Sequence, residues 1–296
     1  MNNMPHCRRL LFGFIALTLF LMSFQVLDIY FEKGRRLGEL VDAELEEVSG
    51  LLASRSNEGY FWVHNDSGDE ARFFLLDSTA QKKATYYLQG VKAVDWEDMG
   101  YLTLGDKHYL LLGDIGDNGA RRPFVQVHMV EEPVYRAGKM VDTIAPSAIK
   151  TYSLRYPDGA RDAESLFYDP IDQQLYIISK RDLQAQVYRT PLLQAQDTLV
   201  LQRCATLPYT FLTGADIAQD GSEVLVKDLL HVYYWKRQGK EPLPALFARK
   251  GEEQPYEPET QGEAIAFGTR GEGYYTLGER PFGLSAYLMA YARRGN

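Results

Sequence analysis

Carboxylates dominate the residues with chemical potential, and they recur at matching places along the 296-residue chain. Asp66 follows His64-Asn65, Asp95 and Glu97-Asp98 flank Trp96, and Asp114, Asp117 and Asn118 share a glycine-containing turn. Arg161, Glu164 and Glu263 follow at later positions. Carboxylate and amide oxygens in this density suit a hard cation. Calcium accepts about six to eight oxygen ligands in loose geometry, which makes Asp66, Asp95, Glu97, Asp98, Asp114 and Asp117 the candidate ligands. Zinc fits poorly, because His64 and one cysteine give no tetrahedral nitrogen and sulfur set.

Three residues could carry catalysis beside such an ion. Glu164 could accept a proton, and Lys180 and Lys227 could stabilise negative charge developing on a substrate. Both lysines have a second reading, neutralisation of Glu164 and Asp216. His64 reads either as a base or as a hydrogen-bonded residue ending a strand, and Trp96 either as a ligand-stacking ring or as packing. Asn65, Asn118, Arg161 and Glu263 complete the candidate ligand contacts. Taken singly, Asn65-Asp66-Ser67-Gly68-Asp69 and Asp114-Ile115-Gly116-Asp117-Asn118 are also ordinary Asx-turn sequences. No Gly-x-Ser-x-Gly elbow, phosphate-cradling glycine loop or Cys-x-x-Cys pair occurs.

The elements that must position these residues form a repeat. Glu47-Val48-Ser49-Gly50-Leu51, Trp96-Glu97-Asp98-Met99-Gly100, Ala163-Glu164-Ser165-Leu166-Phe167, Gly214-Ala215-Asp216-Ile217-Ala218 and Gly262-Glu263-Ala264-Ile265-Ala266 align, and each is followed by a turn and a strongly apolar strand. A period near fifty residues with strand alternation predicts an all-β, five-bladed β-propeller. Six blades is the alternative, should the insertion at 131–147 hide a degenerate one. The fifth blade lacks an outer strand, and the segment at 37–41 is expected to supply it and close the ring. Adjacent strands in a blade are antiparallel. The links entering the innermost strands and the loops after the second strands therefore emerge at one end, which gathers the acids around one pore mouth.

Composition narrows the partners. A net charge of −8 leaves no basic stripe for nucleic acid, so a small-molecule or envelope ligand is expected. Residues 1–9 contain Arg8 and Arg9 and no acid, and 10–27 is an almost wholly apolar run without a small-residue cleavage pair. That predicts an uncleaved signal anchor, a single transmembrane helix in the inner membrane, with a linker at 28–36 and the propeller at 37–296 on the periplasmic or extracellular side. Cys7 and Cys204 fall on opposite sides of this anchor and cannot pair within the chain.

The series His64-Asn65-Asp66-Ser67-Gly68-Asp69, Asp95-Trp96-Glu97-Asp98, Gly113-Asp114-Ile115-Gly116-Asp117-Asn118, Glu132-Pro133 and Tyr156-Pro157-Asp158-Gly159 through Glu164 to Lys180 resembles a family of bacterial secreted or membrane-anchored propellers. More distantly it is similar to calcium-dependent phytase-like propellers. The resemblance covers about residues 47–180, and beyond 190 only the blade pattern persists. It implies a calcium-loaded acidic face. Ala215, standing where the pattern has an acid, departs from it. Two functions follow: recognition of a ligand or envelope partner through this face, or calcium-dependent hydrolysis of phosphoesters or lactones.

Overall fold

The computed structural model describes residues 29–194, 196 and 198–295. The expected transmembrane helix at 10–27 lies outside the described residues, and among those described no helix is long and apolar enough to cross a membrane.

Five antiparallel units form a closed ring. Their innermost strands are Val48–Ala53, Trp96–Leu104, Ala163–Asp169, Leu212–Ile217 and Gly262–Phe267, each packed beside the next, with the fifth against the first. The second strands are Tyr60–Asn65, Lys107–Asp114, Gln174–Ser179, Glu223–Asp228 and Gly273–Gly278. Alternating apolar residues on both faces of every blade make five apolar clusters, one at each blade interface. That is why the core is distributed around the ring and the pore is left to polar groups.

The insertion at 131–147 does not hide a sixth blade. Its Val141–Ile144 strand pairs in parallel with Lys82–Leu88, adding a fifth strand to blade one. Blade three repeats the device, lending Thr198–Val200 in parallel to Ile149–Arg155 of blade two. Each loan covers an outer edge that would otherwise expose unpaired backbone groups.

The N-terminal strand closes the ring as expected. Arg35–Leu40 pairs antiparallel with Ala286–Ala292, Leu40 opposite Ala286. The chain joins the ring before this strand: Phe31 bridges to Arg293 and is fully buried edge-on against the rings of Tyr234 and Tyr274. This entry point lies at the end of the ring where the innermost strands finish, opposite the end where they begin.

Candidate functional site: an acidic pore mouth

Every innermost strand begins with a bulge. The pairing register with the second strand skips one residue, and the skipped residues are Ser49, Glu97, Glu164, Thr213 and Glu263. A bulge inserts an unpaired residue and re-aims its side chain. Repeated five times, it yields a ring of three carboxylates and two hydroxyls, all buried. This corrects the alignment of two blades. Ser49, one residue beyond Val48, is the equivalent position in blade one, and Thr213 rather than Ala215 is the equivalent in blade four.

Two carboxylate triads converge at this mouth. Single oxygens of Asp66, Glu97 and Glu263 lie within 4.8 Å of one another, and the same holds for Glu97, Asp162 and Glu164. Glu97 belongs to both. Lys180 contacts Glu164 and stands 3.7 Å from Glu263. Even so, Glu97 Oε2 and Glu164 Oε2 are buried with no hydrogen-bond partner. Asp95 packs beside Glu97 over Gly116, where a Cβ would fall 2.1 Å from Glu97 Oε1 and 2.5 Å from Asp95 Cγ. Any side chain at Gly116 would push both acids away.

Burial, and after it the crowding of like charges, sets the protonation of the cluster. Burial, reinforced by Glu263, Asp95 and Glu47, raises Asp66 to about 7. Glu97 is pushed well above its ordinary value by burial and then by Glu164. Burial lifts Glu164 to about 8 against the pull of Lys180. Glu279, reaching Glu263 from the loop of blade five, is raised to about 9 by burial and by Glu263. The mouth therefore holds protons at neutral pH unless another cation replaces them.

Three predicted ligands have other work. Asp98 is fully buried and bonds across blades: its carboxylate accepts the N–H groups of Met99 (2.8 Å), Leu166 (2.8 Å) and Ala215 (3.2 Å), joining the innermost strands of blades two, three and four. Asp114 accepts the N–H groups of Val94 and Asp95 and pairs with Arg122 at 2.7 Å. Asp117 accepts the Arg122 N–H at 2.7 Å. The last two build the loop beside Asp95 and Glu97, with both oxygens of Asp114 and Oδ2 of Asp117 engaged in it.

The remaining assignments sort by contact. His64 is buried and neutral, its pKa lowered to about 4 by burial, with Nδ1 2.9 Å from the Asn65 carbonyl and the ring against Trp96. Trp96 packs between His64 and His128. The Asn65 side chain donates to the Glu44 carbonyl and to Asp69. Arg161 pairs with Asp158 and Asp182 at the rim, and Asn118 accepts a hydrogen bond from Arg181. Lys180 and Lys227 are not equivalent. Lys227 lies within its strand opposite Gly214, whereas Lys180 follows its strand, two register positions further on. Fully buried Lys227 donates to the Gly262 carbonyl of the next blade, and burial lowers its pKa to about 8. Asp162 and Glu279 join the cluster although their sequence signal was only membership of the right loops.

The rim around this mouth is apolar on blades three to five. Leu183, Leu230 and Phe282 are largely exposed on the loops after the second strands, with Leu284 beside them and Phe211 on the link into blade four. Phe211 and Phe282 occupy left-handed backbone at φ 54° and 58°, which non-glycine residues rarely adopt. Phe282→Gly is expected to raise stability by roughly 0.5–1 kcal/mol by relieving that conformation. Urea unfolding of the two proteins checks it.

No protein-family model matches the chain, and no curated protein matches it. Among solved structures it is similar to one described as the crystal structure of a nidogen/laminin complex, at a TM-score of 0.46 and 10% identity over 81% of this chain and 74% of that one. A likeness at this level carries no functional argument, and the propeller assignment rests on the strand pairing itself.

Proposed function

We propose that this protein is a membrane-tethered, extracytoplasmic β-propeller that holds calcium at its acidic pore mouth and recognises a small ligand or envelope partner there. The observation that carries the reading is the pair of buried, unpartnered oxygens on Glu97 and Glu164 within two carboxylate triads. A buried carboxylate oxygen without a donor is costly. The donor set fits calcium: it is all oxygen, and spacings up to 4.8 Å accommodate Ca–O distances of about 2.3–2.6 Å with small movements. Asp66, Glu97 and Glu263 would hold the ion, with Glu279 adjacent.

The apolar rim supports a binding role, because exposed apolar side chains grouped around a polar centre are the composition of a recognition surface. The N-terminal route supports the orientation. The chain enters the ring at the end opposite the acids, so an anchor on residues 10–27 would present the acidic mouth away from the membrane.

Hydrolysis is the second reading, favoured by one observation. Glu164 at about 8 beside Lys180 is suitably poised for proton transfer near neutral pH. Turnover of generic phosphoester or lactone substrates that disappears in Glu164→Gln would establish it. Absence of turnover together with calcium-dependent partner capture would leave recognition as the function.

A pH experiment tests the calcium reading. Asp66, Glu164 and Glu279 titrate higher in the folded chain than in the unfolded one, so without metal the folded state retains protons the unfolded state has released. Their contribution is complete below the unfolded carboxylate range and is lost as pH rises through about 7 to 9. His64 and His128, lowered to about 4, act in the opposite sense but only below about 6.5. Lys227 opposes only above about 8. Chelated protein should therefore lose roughly 1–3 kcal/mol between about pH 6.5 and 8, and saturating calcium should reduce the loss to the share of groups outside the mouth, such as Asp216, which burial raises to about 7. A chelated protein whose midpoint stays flat or rises over that window would contradict the arrangement.

A further inference from the structure

The opposite mouth of the pore carries a cation, Arg55, that has no ionic partner among the described residues. Arg55 follows the innermost strand of blade one, and its surroundings fix it. Its backbone N–H donates to Glu132 at 3.0 Å and to the Tyr101 hydroxyl at 3.2 Å. Its guanidinium lies 4.2 Å over the Tyr101 ring and donates once, to Thr103 Oγ1 at 2.9 Å. Among the described residues no carboxylate pairs with it within 4.0 Å. The two nearby acids are occupied: Glu132 accepts from Ser54, Ser56, Trp62 and Tyr101 as well as from Arg55 itself. Asp216 accepts the N–H groups of Ile217 and Phe267. Partial burial lowers the guanidinium pKa without removing its charge.

This guanidinium lines a cavity of about 130 Å³ at the ends of the innermost strands, with Thr103, Tyr168, Gln173 and Gln219 as polar neighbours, Leu104 as an apolar one, and the Asp216 carboxyl in the wall with both oxygens held by backbone N–H groups. We propose that this cavity is a second binding site, for a small organic carboxylate gripped by Arg55. A guanidinium offers paired N–H donors that match a carboxylate. Held over Tyr101 and tied to Thr103, Arg55 keeps Nε and its second terminal nitrogen unused and loses little freedom on binding. The volume is that of roughly four water molecules, which sets the ligand at two to five carbons, and the amide and hydroxyl neighbours suit a hydroxy or amino substituent. The site does not depend on the calcium reading, since it lies at the other end of the pore.

Saturation-transfer NMR on the full chain, with calcium fixed, tests this using lactate, succinate, glutamate and inorganic phosphate as probes at about 10 mM. At least one carboxylate should receive transfer. Arg55→Met should weaken it by about tenfold or more and Arg55→Lys by less. Thr103→Val, which removes the tether together with an exposed contact to His108, should weaken it in a protein whose unfolding midpoint is unchanged, and serves as the decisive variant if Arg55→Met does not fold. No transfer to any carboxylate, equal binding by Arg55→Met and wild type, or binding of phosphate alone would overturn the proposal.

Discussion

Replacing Asp98 with alanine is expected to destabilise the propeller by about 2–4 kcal/mol. The carboxylate accepts backbone N–H groups from three innermost strands and is fully buried. Its removal leaves those donors in a pore interior with nothing to accept them, at about 1–3 kcal/mol for each unsatisfied group. The sum is reduced because the buried carboxyl is itself costly, as its strongly raised pKa records. Asp98→Asn should fall between, since one of its two ends turns an N–H₂ toward N–H donors. Urea unfolding reads the effect as a lower midpoint at unchanged slope. A shift below about 0.5 kcal/mol for Asp98→Ala would remove this residue as a link between blades.

Glu97→Gln should have the largest effect on metal response. Glu97 is the one carboxylate shared by both triads, and one of its oxygens has no partner. Calcium at about a hundredfold over its dissociation constant should stabilise the wild-type fold by about 2.7 kcal/mol. In Glu97→Gln that increment should nearly vanish. Without metal the variant should melt close to wild type at neutral pH, because burial already favours the neutral carboxyl of Glu97, and higher than wild type only as rising pH forces Glu97 to ionise beside Glu164, Asp66, Asp95 and Glu263. Asp117→Asn is the matched control. Its carboxylate holds the Arg122 N–H within the loop, so the variant should lose loop stability yet keep the calcium increment. Equal calcium shifts in wild type and Glu97→Gln would place the ion elsewhere or nowhere.

The propeller was legible because its signals are strong and repeated. Apolar runs such as residues 60–64 and 109–112 alternate with Gly/Asp/Asn turns at a near-constant period, and the chain's own ends supply complementary strands. The convergence of acids on one mouth followed from antiparallel geometry alone. What the residues could not disclose were the short outer strands Val141–Ile144 and Thr198–Val200, which are partly exposed and gain their identity only from the edge they cover.

Acid type also says nothing about where a carboxylate's lone pairs are used. Asp98 and Glu97 are neighbours in sequence, yet one is saturated by backbone donors and the other has an unpartnered oxygen, because the bulge turns them in different directions. Blade four misled for a related reason. Ala215 aligned with the acids of the repeat, but the bulge falls two residues earlier at Thr213, and the neighbouring Asp216 bonds to Phe267 of the next blade. Arg122, which clamps Asp114 and donates to the Gly116 carbonyl, sits across a loop from both and carried no local signal.

The claim on which this account depends is that one cation is held between Asp66, Glu97 and Glu263. Crystals grown after chelation and soaked in manganese, with anomalous diffraction recorded at the manganese edge, test it most directly. The account predicts a strong anomalous peak within coordination distance of all three carboxylates, displaced by excess calcium. A map with no peak at the pore mouth, or with its peak only at other acids, would contradict it.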